Sequence, residues 1–300
     1  MPLRRPLRPL LALCAAAVLI AGCGDSVGGQ SGSVSVAVTR DFGARAVVSS
    51  PPVGVRGSTS LLEVLDRVTD TREGTTSVTS IDGIAGDWRL WLNGVRVGNA
   101  GKAKVKPGDK VWLDLPGEGA TASVPAVTGS FPEPFLHGVA GKRVPTRVEC
   151  ADPESDACDA VAKRLAALGV VAARGGIGAG VNDETIRVLV GTWSRLRATR
   201  DSTVARVDGG PARSGVFARF DRAGRSLETL DPGGRPAEDL GAGTGLVAAT
   251  KIGAKEPVWF ITGTDEKAVE AAAQTLDEPT LTTRYALAIH DARGVAVPSG

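Results

Sequence analysis

The spacing of apolar residues predicts strands and one helix in the first part of the chain. Valines alternate with small or polar residues over 33–39, which is the period of two of a strand. Between Leu61 and Val68 the apolar residues follow the spacing of one helical face, and hydroxyl residues just before Leu61 are good N-caps. Further strands are predicted at 78–81, 88–92 and 110–115.

A hairpin is predicted at Asn93-Gly94, because both residues tolerate positive φ and stand between apolar runs. Trp88 and Trp91 are three apart on the strand that enters this hairpin, so they point to opposite faces. One can therefore fill the core while the other stands exposed or half-exposed. Trp112 lies on the last of these strands and could flank either face.

The second part of the chain alternates strand and helix signals. A strand near 146–149 precedes a helix that carries Val161 and Leu165 and stops at Gly169. Two short apolar strands, 186–190 and 258–261, each lead into a Gly-Thr turn. A helix over 269–276, a strand over 284–289 and a hairpin joining 216–220 to 226–230 complete the set.

These elements predict an α+β fold, with a small first domain followed by an α/β-patterned sandwich domain. The connection between them contains Pro125, Pro132 and Pro134 and lacks any helical or strand period. Phe131 and Phe135 indicate that part of it packs on a neighbour. The predicted divisions are a signal peptide at 1–22, a tether at 23–32, a first domain at 33–116, a linker at 117–144 and a second domain at 145–292.

The chain begins with the pattern of an export signal. A basic head with three arginines precedes an apolar run over 10–19, and Ile20-Ala21-Gly22-Cys23 follows. A cysteine directly after small residues is typical of bacterial lipoproteins, which carry a lipid on the thiol of that cysteine. In this chain the lipid would be attached to Cys23. An ordinary secretory signal is the alternative, and the run is shorter than a membrane span requires. We therefore expect attachment to the extracytoplasmic face of the cell membrane.

The charge balance argues against a nucleic-acid binder. The chain has 35 basic and 33 acidic residues, and removal of the signal takes Arg4, Arg5 and Arg8 with it. The mature protein is then almost neutral, whereas nucleic-acid binding needs a basic stripe to displace counterions.

Cys150 and Cys158 are predicted to form a disulfide across a turn between a strand end and a helix start. A metal pair is the alternative, but the only histidines, His137 and His290, show no ligand spacing. The glycine-rich stretch at 175–180 lacks the spacing of a dinucleotide-binding fingerprint. The one at 241–245 lacks the lysine of a phosphate-binding P-loop. No catalytic set is found, which favours a protein that is not an enzyme and holds no metal.

The tryptophans near the hairpin have two interpretations. They can form the core of a domain otherwise built from Val and Leu. They can also form a flat apolar platform for a ring-bearing ligand, with polar contacts from the hairpin tip. The candidate ligand-binding residues are Trp88, Trp91, Asn93, Gly94 and Trp112.

Three motifs in this region resemble the transcobalamin-like C-terminal domain family. They are DGI at 82–84, WRLWLNG at 88–94 and KPGDKVW at 106–112. The resemblance covers about 33–115 and implies a β-grasp-like domain. In the animal cobalamin carriers this domain closes over the corrin ring, opposite a helical barrel. It therefore implies cobalamin as a candidate ligand, although this chain shows no barrel pattern.

Two hypotheses of function follow. The first is a lipid-anchored extracytoplasmic protein that captures a small, cobalamin-like molecule for an uptake system, with a transporter as its partner. The second is an envelope interaction protein that docks onto a membrane complex or wall component without a small ligand. The linker with Phe131 and Phe135 motivates the second hypothesis.

Overall fold

The computed structural model describes residues 30–117, 119–120, 122–139, 141–179 and 182–299. The predicted signal peptide, Cys23 and the tether up to residue 29 lie outside the described residues. Among the described helices, none combines the length and the apolarity needed to cross a bilayer.

The N-terminal half, residues 30–116, is built almost entirely from strands. Its elements are β1 (Ser31–Arg40), β2 (Arg45–Ser49), β3 (Val53–Arg56), β4 (Thr59–Ser60), α1 (Leu61–Asp66), β5 (Thr71–Glu73), β6 (Val78–Ile81), β7 (Ile84–Ala85), β8 (Arg89–Leu92), β9 (Val95–Arg96), a 3-10 turn (Ala100–Lys102), β10 (Lys104–Val105) and β11 (Lys110–Leu115).

Its main sheet has the strand order β2-β1-β11-β8-β9, and β3 also pairs with β1. β1 runs parallel to β11, whereas the β11–β8 and β8–β9 pairs are antiparallel. The alternating valines of β1 face inward and pack with the buried leucines of α1, as the period of two predicts. Ser60 occupies the N-cap position, but its side chain makes no capping hydrogen bond.

The C-terminal half, residues 145–299, contains the longer helices. Its elements are β12 (Thr146–Cys150), α2 (Asp156–Ala167), β13 (Ala172–Gly176), β14 (Ile186–Thr192), α3 (Trp193–Ala198), α4 (Ser202–Asp208), α5 (Pro211–Ser214), β15 (Ala218–Phe220), β16 (Leu227–Leu230), β17 (Pro236–Gly241), β18 (Gly245–Thr250), β19 (Val258–Gly263), α6 (Glu266–Gln274), α7 (Glu278–Leu281), β20 (Ala286–His290) and β21 (Arg293–Val297).

Seven strands form its main sheet in the order β13-β12-β14-β19-β18-β20-β21. The two similar apolar strands, β14 and β19, are parallel neighbours in this sheet, and Gly191, Thr192, Thr262 and Gly263, predicted as turn residues, belong to the strands. β15, β16 and β17 form a separate three-stranded sheet, which contains the predicted hairpin. The final strand, β21, lies beyond the predicted end of the second domain at residue 292.

The prediction of an α+β fold, with a β-grasp-like half followed by an α/β-patterned half, is wrong. The described residues are 37% strand and 19% helix, and they form a β-rich sandwich of several sheets. Segments such as 53–56, 71–73 and 236–241 lack a strong local strand signal. They become strands by antiparallel pairing, β3 with β1, β5 with β6 and β17 with β16, which the period of each segment alone does not report.

The predicted linker is closely packed where it is described. Phe131 and Phe135 are buried, and their ring centroids lie 6.0 and 5.0 Å from that of Trp259. Val124 and Val127 belong to a core that also contains residues of both halves. The expectation that this segment packs on a neighbour is confirmed, and we call residues 117–144 the connecting segment.

The predicted disulfide between Cys150 and Cys158 is confirmed. Cys150 ends β12 and Cys158 lies in the first turn of α2, with 6.0 Å between their Cα atoms. Both residues are buried, and Ser155 caps the helix by accepting a hydrogen bond from the Cys158 amide.

Replacing both cysteines by alanine should lower the free energy of unfolding by about 2–3 kcal/mol, because the short loop is no longer closed in the unfolded chain. Urea denaturation followed by circular dichroism measures this change. A reductant should lower the stability of the wild type by a similar amount and leave the double variant unchanged. Equal stability of wild type and variant would contradict the prediction.

Candidate functional site

The structure buries all five predicted ligand-binding residues. Trp88, Trp91 and Trp112 are 1%, 0% and 2% exposed, and Asn93 and Gly94 are buried as well. Trp88 lies in the core of the N-terminal half, whereas Trp91 and Trp112 lie in the core shared with the C-terminal half. The two faces predicted for Trp88 and Trp91 are therefore observed, but the exposed or half-exposed ring is not.

The C-terminal half covers the tryptophan rings with Tyr285. The centroid of Tyr285 lies 5.1 Å from that of Trp91 and 5.2 Å from that of Trp112, with both pairs edge to face. The indole nitrogen of Trp91 donates to the Val124 carbonyl, and that of Trp112 donates to Thr39 Oγ1. Access of a ring-bearing ligand to these two rings is blocked in this arrangement.

Asn93 and Gly94, at the hairpin tip, make contacts within the protein. Asn93 Nδ2 donates to Asp109 Oδ1 at 2.8 Å and to the Gly138 carbonyl at 3.0 Å, while its Oδ1 accepts from the Lys110 amide. Gly94 has φ of +76°, and a Cβ there would lie 2.9 Å from the Val127 carbonyl oxygen. Asn93 and Gly94 thus fasten the connecting segment to the hairpin.

A buried carboxylate, Asp114, joins the two halves beside the tryptophans. It accepts hydrogen bonds from Thr39 Oγ1 at 2.7 Å, from the amides of Phe42 and Gly43, and from the Tyr285 hydroxyl at 2.8 Å. Burial raises the pKa of Asp114, and the hydrogen bonds offset this rise only in part. Burial also raises the pKa of Tyr285 well above its usual range.

An open cleft lies at the edge of the N-terminal half, where β9, the 3-10 turn and β10 meet the connecting segment. Its volume is about 580 Å³. The basic side chains that line it are Arg96, Lys102, Lys104 and Lys106. Its apolar lining comes from Leu92, Val95, Val97, Ala103 and Val139. The described lining contains no carboxylate, so we call this site the basic cleft.

Arg96 connects the basic cleft to the buried tryptophans. Its guanidinium carbon lies 5.3 Å from the centroid of the Trp91 ring, which is within the range of a cation–π contact. Its amide donates to the Pro125 carbonyl, which fixes the backbone against the connecting segment. Burial and the neighbouring Arg89 lower the pKa of Arg96, but a guanidinium remains charged at neutral pH.

The three lysines are exposed and stand on fixed backbone. The Lys102 amide donates to the Asn99 side chain, and the Lys106 amide donates to Asp109 Oδ2 at 2.7 Å. Lys104 and Lys106 flank Val105, which is fully buried, so alternation directs both lysines to the outer face. Lys106 Nζ also donates to the Gly141 carbonyl at 3.2 Å.

Sequence reasoning missed this cleft, although its signal is visible. Four of the eleven residues from Arg96 to Lys106 are cations, and none is acidic. The total charge of +2 does not reveal this local cluster of cations. The contribution of the connecting segment, through Val139 and Gly141, follows only from the tertiary structure.

A second charged cluster, in the C-terminal half, is structural. Arg187 donates to Glu149 Oε1 and Oε2 at 2.7 Å and to Asp201 Oδ2 at 2.8 Å. Burial opposes the charge of Asp201, but the hydrogen bond and charge of Arg187 bring its pKa below the usual value. Within the described residues, no group of three or more His, Cys, Asp or Glu side chains is arranged to hold a metal ion.

No protein-family model matches the chain, and no curated protein matches it. The resemblance to the transcobalamin-like domain therefore rests on the three short motifs alone.

The unfolding free energy of Asp114→Asn should depend less on pH than that of the wild type. Because the pKa of Asp114 is raised by folding, its contribution to stability is full below its ordinary pKa and is lost as pH rises through the folded value. Denaturation curves from about pH 4 to about pH 8 measure the difference. Parallel curves for the two proteins would contradict the assignment.

Tyr285→Phe should lower the free energy of unfolding by about 1–3 kcal/mol at neutral pH, because Asp114 loses a buried hydrogen-bond donor while the ring is kept. Urea denaturation of the variant and wild type measures it. No loss of stability would show that the Tyr285 hydroxyl does not help to hold the halves together.

Proposed function

We propose that this is a lipid-anchored extracytoplasmic protein that binds a small anionic ligand in the basic cleft. The observation that carries the proposal is the combination of four basic side chains, an apolar floor and no carboxylate in the described lining. A volume of about 580 Å³ is within the range of small-molecule sites. The export pattern before Cys23 supports the location, and the disulfide fits an oxidising compartment.

Electrostatics favours an anion as the ligand. Four cations within one cleft repel each other, and a bound anion relieves this repulsion through charge-assisted hydrogen bonds. The apolar floor gives the remainder of the ligand a surface to contact. Binding is favoured over catalysis because the described lining offers no imidazole or carboxylate as a general base.

The place proposed for cobalamin binding has to change. Trp91 and Trp112 are covered by Tyr285, so a corrin ring cannot lie on them as the platform interpretation requires. We propose the basic cleft as the place where a cobalamin would be tested. The envelope-docking hypothesis loses its motivation, since Phe131 and Phe135 are buried against Trp259.

The proposal predicts that an anionic aromatic probe, 8-anilinonaphthalene-1-sulfonate, binds the wild type and binds Lys104→Gln/Lys106→Gln more than about tenfold more weakly. Loss of hydrogen bonds to charged groups has this magnitude. Dye fluorescence measures affinity, and emission of Trp91, which lies under Arg96, gives a second signal.

The matched control is Lys163→Gln/Lys267→Gln, which removes two exposed lysines from α2 and α6. Its affinity for the dye should equal that of the wild type. Equal affinity of the cleft variant, or equal loss in the control, would refute binding at the cleft. Competition by cobalamin tests the ligand implied by the resemblance: displacement of the dye would support it, and no displacement would remove it.

A further inference from the structure

A second cleft adjoins the basic cleft. It has a volume of about 600 Å³, and Ser58 lines both clefts. Its charged lining consists of Arg56, Arg67 and Glu63. We call the surface formed by the two clefts the basic face; its cations are Arg56, Arg67, Arg96, Lys102, Lys104 and Lys106.

Of the six cations of the basic face, Arg67 is the one that forms a salt bridge within the described residues. Glu63 is the one carboxylate in the described lining of the two clefts, and it pairs with Arg67 one helical turn away. Asp109, which lies beneath Lys106, is buried and accepts hydrogen bonds from Asn93 and from the Lys106 amide. The exposed lysines and Arg56 therefore present their charge to whatever lies outside.

The chain enters the described structure in the middle of this face. Ser31 and Gly32 line the second cleft, and the Gly57 amide donates to the Gln30 carbonyl. A Cβ on Gly32 would lie 2.7 Å from Pro107 Cβ, so β1 begins directly against the turn that follows Lys106. The start of β1 thus lies between the two groups of cations.

The distance to the predicted anchor is short. Gln30 is seven positions after Cys23 in the sequence, and a fully extended chain spans at most about 25 Å over that distance. A lipid on Cys23 would therefore keep the entry point, and the cations around it, close to the bilayer surface.

We propose that the basic face binds the headgroups of anionic phospholipids in the membrane that carries the lipid on Cys23. This inference rests on the proposed function, and it names the ligand of the basic cleft as such a headgroup, with the apolar floor beside the upper part of the lipid chains. Each Lys or Arg near an anionic surface strengthens binding by about 1 kcal/mol, or about fivefold. The attraction also orients the protein, which attachment through a tether alone does not.

The test uses the mature chain, residues 24–300, prepared without its lipid, so that all described residues are kept. Co-sedimentation with vesicles of phosphatidylglycerol and phosphatidylcholine is compared with vesicles of phosphatidylcholine alone. We expect binding only to the anionic vesicles, loss of binding at high salt, and a partition coefficient about 25-fold lower for Lys104→Gln/Lys106→Gln. Lys163→Gln/Lys267→Gln should bind as the wild type does.

Equal binding to neutral and anionic vesicles, or an equal loss in the two double variants, would overturn the inference. Displacement from the vesicles by millimolar inorganic phosphate at constant ionic strength would also overturn it, because the cleft would then prefer free phosphate to a headgroup. If the sulfonate dye binds the cleft and anionic vesicles do not, the lipid inference fails while the proposed function stands. If neither binds, both fail.

Discussion

The hydrogen bond between the Tyr285 hydroxyl and the buried Asp114 carboxylate determines how the rest of the molecule is arranged. Asp114 also accepts from Thr39, Phe42 and Gly43, so a group on β11 joins the β1–β2 turn to a residue just before β20. Asp114 has no exposed surface, so the loss of any of these donors would leave a buried carboxylate less well paired. The Tyr285 hydroxyl therefore favours the arrangement in which the two halves stay together and the neighbouring aromatic rings stay covered.

Because Trp91 and Trp112 are buried, the side chains available to a ligand are those at the edge of the sheet, in the basic cleft. The Trp91 ring, one of the candidates for a ligand platform, is covered by Tyr285 and makes a cation–π contact with Arg96 instead. The hairpin tip is held in the same way, since Asn93 is bonded to Asp109 and to the connecting segment. The basic cleft is thus formed by side chains whose backbone cannot easily move, which reduces the entropy lost when a ligand binds.

Features specified by neighbouring residues were predictable from the sequence, and features specified across the chain were not. The valine alternation of β1, the Asn93-Gly94 turn and the disulfide have local signals, and the structure contains all three. The predicted fold class failed because short segments without a clear strand period, such as 71–73 and 236–241, become strands by pairing with an adjacent strand. Burial of Trp91 by Tyr285 joins residues 194 apart in the sequence, and no periodicity encodes that contact. The cluster of cations from Arg96 to Lys106 is visible in the sequence, but the total charge of the chain does not indicate it.

Total charge determines the long-range attraction of this protein for a polyanion, whereas charge distribution determines which face is attracted to a nearby anionic surface. A chain with a net charge of +2 has little long-range attraction for a polyanion, which argues against nucleic acid as a ligand. Cations concentrated on one face must then be balanced by acidic groups elsewhere, and the molecule acquires a charge asymmetry. Near a bilayer, attraction falls off within a Debye length, so only the face held close to the surface contributes. Because the chain enters at Ser31 and Gly32, within the second cleft, the basic face is the one that a short tether would hold there.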